Sequence, residues 1–570
     1  MAKKIASVFA VIILCLSLVF YDNIAALFNK SVNKALDRDV TSGYGVSSSN
    51  ELAVEVGMKV LKDGGNAVDA AAAISYVLGV VEPYGSGIGG GGCMLVYLPD
   101  SKDYKFYNYR ETAPISSDTM KSTIGVPGFV KGIETVQSEH GKLKMSDLLQ
   151  PAIDLAKDGF EMNQNLYNRL SVYKGYSDLS QMTQFFEANG EPKAVGKNIV
   201  QPELADTLTQ IQKNGSDAFY KGEIAQKLTT GAYFTAEDLS SYEVEEQEPI
   251  TGDFNGYDVV TAPAPFSGVT LLQILNMIEY VDLPSYDEDP VKYIEEMTKI
   301  SNIAYTSRQA NISDPNFNSE EKDYQKLTTD KYAKYLYKKN EVKDIDDMES
   351  EDTTAFVVTD SSGMVVSCTN TLGDFFGSQV SVGGFFLNDA SIHFNENSYS
   401  INKYEPGKRS RTFIAPSIIT KGDDFMMGIA TPGGNAIPQV LAQVINWNLR
   451  DGVDLQKAVD KPRFVFRNSK EVYYEEEIPD DIRQQIAADI SAAVSPAVIV
   501  IIPAMTQAIM PSPGPPFVSS YTACGLKNTP PPITIPITVD NAAASPKFFC
   551  NLLFSICINP FFCKCKILNL

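Results

Sequence analysis

The feature that most constrains this chain is the abrupt change of character at Asp352, where an acidic segment meets a strand-like run. Seven of the twelve residues from Glu341 to Asp352 are acidic, and the chain continues as TTAFVVTD. Paired threonines and β-branched apolar residues are typical of strands. The segments TAFVVT and MVVSCTN flank DSSG at 360–363, which has Asp first and Gly fourth, as a type I turn prefers. The sequence therefore predicts a buried β-hairpin starting beside Thr353.

The other segments alternate between helical and strand-like patterns. From Glu51 the sequence indicates two helices divided at Gly64 and Gly65, the second apolar on most sides and so predicted to be buried. Residues 319–352 predict a helix followed by an exposed connector. With no internal repeat, elements of mixed type in this order predict an α+β fold, or a layered αββα body.

A glycine-rich stretch, GSGIGGGGCMLVYL, formally contains GxGxxG at Gly85, Gly87 and Gly90. In a dinucleotide-binding fold this motif follows a strand and opens a helix. Here a helix precedes it and the strand CMLVYL follows it. We therefore predict a tight loop dense in backbone and no nucleotide site.

Charge and histidine content exclude several classes of function. The net charge of −22 and pI near 4.6 argue against a nucleic-acid partner, which needs a basic face. The two histidines, His140 and His393, show no metal-ligand spacing, and we predict neither a metal nor an organic cofactor. Residues 1–30 carry Lys3 and Lys4 before an apolar run, so we predict a signal peptide or membrane anchor and an extracytoplasmic location.

Residues 496–570 do not resemble the rest of the chain. Of these residues only Asp540 is acidic, and they include 12 of the 31 prolines and five of the eight cysteines. Proline donates no hydrogen bond, so the Pro-rich runs cannot form ladder strands. A Pro-rich stalk with a second anchor is one interpretation. We favour the other, a reading-frame slip that produces an anomalous Pro/Cys-rich tail.

The scarcity of histidine also narrows the choice of nucleophile, because a Ser-His-Asp triad has little to draw on. A threonine that becomes the first residue of a chain can use its own α-amine as the base. Cleavage between Asp352 and Thr353 would produce such a threonine. The alternative is that two threonines merely begin a strand, as β-branched residues often do.

Seven motifs bear on that choice: YRETAP, GVPGFVKGIE, APAPFSGVTLLQ, TTAFVVTD, CTNTLGDFFG, KRSRTFIAP and ATPGGNAIPQ. In this order, from Tyr44 to Val494, the chain resembles the γ-glutamyltransferase family of N-terminal nucleophile hydrolases. ETAP and KRSRTF are most similar to the branch that acts on poly-γ-glutamate capsule. The resemblance implies a four-layer αββα sandwich of two chains cut from one precursor, a large subunit at 31–352 and a small subunit at 353–495.

The resemblance also implies residue roles. Thr353 aligns with the nucleophile, which first splits the precursor at the preceding carbonyl and later carries a γ-glutamyl ester. Thr371 aligns with the threonine that hydrogen-bonds the nucleophile. Gly433 and Gly434 align with the backbone donors of the oxyanion hole. Arg110 aligns with the arginine that binds the substrate α-carboxylate, a task suited to a bidentate guanidinium.

Further substrate contacts are implied for Asn388, His393, Arg409, Arg411 and Thr412. His393 aligns with an aspartate that holds the free α-ammonium group of the substrate in relatives that act on glutathione. An internal residue of poly-γ-glutamate has an amide in place of that ammonium group, so the loss of the aspartate fits a polymer substrate. The cations of EPGKRSRTF would bind the polyanion; a solvated surface cluster is the alternative.

The implied substrate is poly-γ-glutamate or a small γ-glutamyl compound. The implied acceptor is water or an amine such as peptidoglycan, and no metal takes part. A glutathione-type γ-glutamyltransferase is the alternative enzyme. The alternative from a non-enzyme class is an inactive binding protein of the cell envelope, because the family's terminal strands are not visible after Val494.

Overall fold

The computed structural model describes residues 43–175, 179–318, 322–343, 352–422, 424–468, 471–475, 477–493, 500–501 and 556–557. The predicted signal or anchor at 1–30 and nearly all of the 496–570 tail lie outside these residues, as does most of the acidic connector. No helix among the described residues has both the length and the apolar character needed to cross a membrane.

Strands and helices alternate through the described part of the chain. The strands are β1 Gly45–Ser48, β2 Gly91–Leu98, β3 Asp103–Asn108, β4 Phe160–Glu161, β5 Asn198–Ile199, β6 Glu245–Gln247, β7 Ile250–Phe254, β8 Tyr257–Thr261, β9 Thr354–Thr359, β10 Val365–Thr371, β11 Ser381–Val382, β12 Phe385–Phe386, β13 Ser417–Lys421, β14 Asp424–Ala430, β15 Phe464–Asn468, β16 Glu471–Tyr474, β17 Val500–Ile501 and β18 Ile556–Cys557. The α-helices are α1 Glu51–Lys62, α2 Ala67–Val81, α3 Phe129–His140, α4 Met145–Asp158, α5 Gln164–Tyr173, α6 Pro202–Asn214, α7 Asp217–Tyr220, α8 Glu223–Thr230, α9 Ala236–Ser240, α10 Gly268–Tyr280, α11 Pro290–Asn311, α12 Asp330–Lys339, α13 Ile437–Ile445, α14 Leu455–Asp460 and α15 Asp480–Ala493.

The predicted hairpin is confirmed as β9 and β10. These strands pair antiparallel from Thr354 opposite Asn370 to Thr359 opposite Val365. The side chain of Asp360 accepts hydrogen bonds from the backbone N–H groups of residues 362 and 364, which closes the turn. The hairpin lies inside a six-stranded sheet of order β1-β9-β10-β2-β3-β6.

A second sheet of order β18-β14-β13-β8-β7 packs against the first, with β14 in contact with both β9 and β10. Successive residues of β9 point to opposite faces. Phe356 and Val358 pack into the core under α2, whereas Ala355 and Val357 pack into the core shared with the second sheet. Because α10, α11 and α13 cover the far side of that sheet, the layers are helix, sheet, sheet, helix. The predicted αββα sandwich is confirmed.

The predicted pair of helices is also confirmed as α1 and α2. Asn66 begins α2 with a capping box, in which its side chain and that of Asp69 accept each other's backbone N–H. Apart from Gly79, every residue of α2 is buried, which agrees with its apolar sequence. The helix predicted within 319–352 is α12.

Candidate active site

Thr353 and Thr371 lie side by side where β9 begins and β10 ends. The antiparallel register brings these ends together, and the two hydroxyl oxygens are 3.3 Å apart. Thr371 Oγ1 also donates to the carbonyl oxygen of Asp352 at 3.3 Å and accepts the backbone N–H of Gly373 at 2.9 Å. All three site residues at 352, 353 and 371 are buried. The hairpin thus assembles the sequence-predicted pair of threonines around the predicted scissile bond.

The hydrogen bonds of Thr371 allow a continuous chain from the Thr353 hydroxyl to the carbonyl of Asp352. A threonine hydroxyl has one proton to donate and two lone pairs to accept with. With the Thr371 proton donated to the carbonyl of Asp352, a remaining lone pair of Thr371 accepts the proton of the Thr353 hydroxyl. The Thr353 oxygen therefore keeps its lone pairs for attack, while the neighbouring carbonyl is polarised by a donor.

The glycine-rich loop before β2 forms the wall behind these threonines, as its backbone-dense sequence predicted. A Cβ on Gly90 would lie 2.2 Å from the carbonyl oxygen of Thr371, so only glycine fits. A Cβ on Gly85 would lie 3.4 Å from the backbone of Thr353. The Ser86 hydroxyl accepts from Thr354 Oγ1 at 2.8 Å. The loop packs against the start of β9 and does not open a helix.

Two residues that the sequence analysis missed hold the side chain of Asp352. Arg169 Nη1 donates to Asp352 Oδ1 at 2.7 Å, and the Tyr173 hydroxyl donates to Oδ2 at 2.9 Å. Both donors lie on α5, four residues apart and so on one face of the helix. No local sequence signal points to them, because 183 residues separate Arg169 from Asp352.

Arg110 lies buried at the end of β3 with unused hydrogen-bonding capacity. Its Nη1 is 3.3 Å from Oε2 of Glu111. Among the described residues, its Nε and Nη2 have no hydrogen-bond partner. Buried guanidinium donors are normally satisfied. These two donors are available for the forked pair of hydrogen bonds that a carboxylate ligand accepts.

A group of acidic side chains lies close to Gly373. Asp389 Oδ1 accepts the backbone N–H of Asp374 at 3.1 Å. Burial, followed by the charges of Asp374 and Glu111, raises the pKa of the Asp389 carboxyl well above its ordinary range. His393 is also buried, and its Nδ1 has no partner among the described residues. The sequence pointed to His393 and gave no signal for Asp389, because the raised pKa of Asp389 arises mainly from its burial in the folded chain.

The predicted oxyanion-hole glycines follow β14. Gly433 has φ +135° and Gly434 has φ +51°, values that favour glycine. Within the described part of the chain, neither backbone N–H donates to a protein acceptor. Their role stays a prediction, and β14 does contact the nucleophile strand β9.

Asn388 is fully engaged with backbone. Its Nδ2 donates to the carbonyl oxygens of Gly89 and Gly125 at 2.8 Å, and its Oδ1 accepts the N–H of Gly125 at 2.9 Å. These bonds tie the glycine-rich loop to the segment after β12. Its predicted contact with substrate stays a prediction.

Residues 408–412 are all buried, so the interpretation of KRSRTF as a solvated surface cluster is wrong. The Arg409 guanidinium bonds to the carboxylate of Glu245 and, at 2.7 Å, to the carbonyl oxygen of Glu243. Thr412 accepts the N–H of Ile414 at 3.3 Å. Their predicted substrate contacts stay predictions.

Arg411 serves the C-terminal end of α11. Its Nη1 donates to the carbonyl oxygen of Gln309 at 3.2 Å and to those of Arg308 and Ile312 at 3.5 Å. A cation at this end of a helix meets the negative end of the helix dipole and satisfies carbonyls that have no intrahelical donor. The structure thus shows Arg411 bound to protein groups, and its predicted substrate contact stays a prediction.

The two-sheet fold and the paired threonines identify a class of protein. Two antiparallel sheets lie between helical layers, and a threonine hydroxyl at the start of a strand contacts a second threonine. This is the architecture of an N-terminal nucleophile hydrolase.

Comparison with known proteins gives the family. The family model for gamma-glutamyltranspeptidase matches residues 53–500. The chain is 43% identical over 499 residues to the capsule biosynthesis protein CapD proenzyme of Bacillus anthracis, which covers 85% of this chain and 92% of that protein. It is 32% identical over 507 residues to the glutathione hydrolase proenzyme of Bacillus subtilis strain 168, with 80% and 86% covered. The solved structure of cephalosporin acylase from Bacillus halodurans matches with a TM-score of 0.71 at 26% identity, over 82% of this chain and 90% of that one.

The chain therefore belongs to the γ-glutamyltranspeptidase family. The predicted family, fold class and enzyme type are confirmed. The subunit boundaries at 352/353 and 495 and the residue roles stay predictions, supported by the geometry described above.

Proposed function

We propose that this chain is a precursor that cleaves itself between Asp352 and Thr353 and then transfers γ-glutamyl groups through an ester on Thr353. The observation that carries the proposal is the chain of hydrogen bonds from the Thr353 hydroxyl through Thr371 to the carbonyl of Asp352. It places a nucleophile, its hydrogen-bond acceptor and a polarised carbonyl at one point. The related proteins described as proenzymes support a processing step.

The two pieces would stay together after cleavage. The six-stranded sheet contains β1, β2, β3 and β6 from the 31–352 piece, interleaved with β9 and β10 from the 353–495 piece. The five-stranded sheet likewise combines β7 and β8 with β13 and β14. Separating the pieces would break both sheets and expose both cores, so cleavage frees the amine of Thr353 without dissociation.

In the cleaved protein, the free α-amine of Thr353 acts as the general base for its own hydroxyl. The hydroxyl oxygen attacks the γ-carbonyl carbon of the substrate, and the amine returns the proton to the departing nitrogen. Water or an amine then attacks the ester and releases Thr353. The amides of Gly433 and Gly434 would stabilise each oxyanion, a contribution of about 3 kcal/mol for such donors. Arg110 would bind the substrate α-carboxylate.

We favour poly-γ-glutamate as the substrate. We also propose that the enzyme acts at the cell envelope, with residues 1–30 as a signal peptide or membrane anchor. The support is the 43% identity to the capsule biosynthesis protein and the histidine at position 393. A side chain without a carboxylate there suits an internal residue of the polymer, which has an amide in place of an ammonium group. Glutathione-type activity is the second candidate, supported by the 32% identity to a glutathione hydrolase.

The first experiment is an intact-mass time course on the purified chain without its first 30 residues. We expect the wild-type protein to yield two fragments, the smaller beginning at Thr353. Thr353→Ala should stay uncut and lose turnover by about 1,000-fold or more, because removing the nucleophile leaves only binding and oxyanion stabilisation. Thr353→Ser is the matched control, which keeps a hydroxyl and should be cleaved. An uncut wild-type chain that binds polymer tightly would instead support a binding protein of the envelope.

The second experiment compares two substrates on the cleaved enzyme. Release of fragments from poly-γ-glutamate should have a higher kcat/KM than release of aniline from a γ-glutamyl anilide. A preference for the small compound would overturn the polymer assignment and favour the glutathione-type enzyme.

A further inference from the structure

The side chain of Asp352 is received by two donors on α5. The carboxylate is wholly buried, with Arg169 Nη1 at 2.7 Å from one oxygen and the Tyr173 hydroxyl at 2.9 Å from the other. A buried carboxylate without partners would be strongly disfavoured. An ion pair with an added hydrogen bond makes the site specific for an acidic side chain. Burial, followed by the charge of Asp352, raises the pKa of Tyr173, so its hydroxyl keeps the proton that it donates.

Aromatic packing joins this helix to the segment that carries the active-site threonine. The ring of Tyr173 stacks on Phe375 with centroids 3.6 Å apart and planes within 5°. Phe375 also stacks on Tyr84, over whose ring the Arg169 guanidinium lies at 5.4 Å. Phe375 is only four residues beyond Thr371 in the chain. Its packing against Tyr173 therefore connects the donors of α5 to the end of β10.

The scissile peptide is thus fixed by two sets of contacts to Asp352. The carbonyl oxygen of Asp352 accepts a hydrogen bond from Thr371. The side-chain carboxylate of the same residue accepts hydrogen bonds from Arg169 and Tyr173 on α5. Attack by Thr353 on the carbonyl just before it requires a peptide that cannot rotate away from the hydroxyl. Pre-set geometry of this kind can account for several powers of ten in rate.

We propose that Arg169 and Tyr173 are positioning residues for self-cleavage, which recognise the Asp352 carboxylate and hold the scissile carbonyl against Thr353. This inference rests on the proposed function. In the reaction, Thr353 Oγ1 bonds to the carbonyl carbon of Asp352 and the C–N bond breaks. The hydroxyl proton goes to the departing nitrogen, which becomes the free amine of Thr353. One water then hydrolyses the ester and leaves a C-terminal carboxylate on Asp352.

The test is the rate of cleavage of full-length precursor, followed by intact mass from the time of refolding or synthesis. Arg169→Met should slow the appearance of the Thr353 fragment by about 100-fold, the effect typical of a misplaced reacting group. Tyr173→Phe should slow it by about 10-fold, since it removes one hydrogen bond to a charged group. Turnover of a γ-glutamyl anilide per cleaved molecule should remain within about two-fold of the wild type in both variants.

A double-mutant cycle separates positioning from general loss of structure. If Arg169 acts through Asp352, then Arg169→Met should add little to the slowing already caused by Asp352→Asn. Arg463→Met is the matched control, because it also removes a buried arginine with a carboxylate partner, here Glu475 at 2.8 Å. It should leave the cleavage rate unchanged.

Three outcomes decide the matter. Slow cleavage with normal turnover and a non-additive cycle would support the positioning role. Cleavage of Arg169→Met and Tyr173→Phe at the wild-type rate, or effects that multiply independently in the cycle, would overturn it while leaving self-cleavage intact. A wild-type chain that never cleaves would instead overturn the proposed function itself.

Discussion

Two buried arginine regions, one at Arg110 and one at residues 408–411, share a predicted contact with substrate and differ in how their donors are used. Arg110 has two guanidinium nitrogens without a partner among the described residues. Arg411 donates to backbone carbonyls at the end of α11, and Arg409 to Glu245 and Glu243. The first region keeps donors for a ligand. The second uses its cations to hold the protein together.

A cation in a motif near an active site therefore binds substrate only if the protein leaves its donors available. Arg409 Nε has no partner among the described residues, but polyanion binding through the Arg409 Nη groups or Arg411 Nη1 would require breaking existing bonds, at a cost comparable to the gain. At Arg110 the desolvation cost was already met on folding, so a carboxylate ligand gains fully from its contact. The polymer's carboxylates are therefore expected at Arg110.

The largest effect expected from this comparison is on stability at Arg411. Arg411→Met should lower the free energy of unfolding by about 3 kcal/mol or more, because several buried carbonyls at the end of α11 lose their donor. Arg411→Lys, which keeps a charge near the helix end, should lose less. Urea unfolding of the cleaved protein measures both. A stable Arg411→Met protein with impaired polymer affinity would restore Arg411 as a substrate residue.

The contrast also shows which parts of this molecule can be predicted from sequence. The β9–β10 hairpin was predictable because strand propensity and the DSSG turn act within a few residues. The threonine pair followed from a family resemblance. The partners of Arg411 and Asp352 were not predictable, since 102 residues separate Arg411 from Gln309 and 183 separate Arg169 from Asp352. Only the folded topology brings those groups together.

The next effect concerns recognition at Arg110. Arg110→Lys keeps the charge beside Glu111 but loses the planar fork, so kcat/KM for a γ-glutamyl anilide should fall by about 10- to 100-fold. The free energy of unfolding should change by about 1 kcal/mol or less. Steady-state kinetics and urea unfolding of the same preparation measure the two quantities.

A substrate lacking the α-carboxylate, 4-aminobutanoyl anilide, serves as the control for this variant. The wild-type enzyme should discriminate strongly between the two anilides, and Arg110→Lys should discriminate weakly. If both anilides lose activity equally in the variant, then Arg110 does not bind the carboxylate and the proposed contrast with residues 408–411 fails.

The smallest effect expected is on how the free energy of unfolding depends on pH, through the buried carboxyl of Asp389. Burial and the charges of Asp374 and of Glu111, the residue after Arg110, raise the pKa of Asp389 well above its ordinary value of 3.8. A carboxyl whose pKa is raised on folding binds more protons in the folded chain, so stability falls as pH rises above about 4. Asp389→Asn retains the Oδ1 that accepts from Asp374 and removes this titration.

Asp389→Asn should therefore be closest to the wild type near pH 4 and should exceed its stability by a growing margin as the pH rises toward 8. Urea unfolding at both pH values checks the slope, and Asp389→Ala, which also loses the acceptor oxygen, controls for packing. An equal difference at both pH values would mean that Asp389 is not held with a raised pKa. A gain that grows with pH would show that Asp389 is an unfavourably buried carboxylate, as expected where function and not stability sets the residue. Lys408 and Arg409, by contrast, are paired with Glu405 and Glu245.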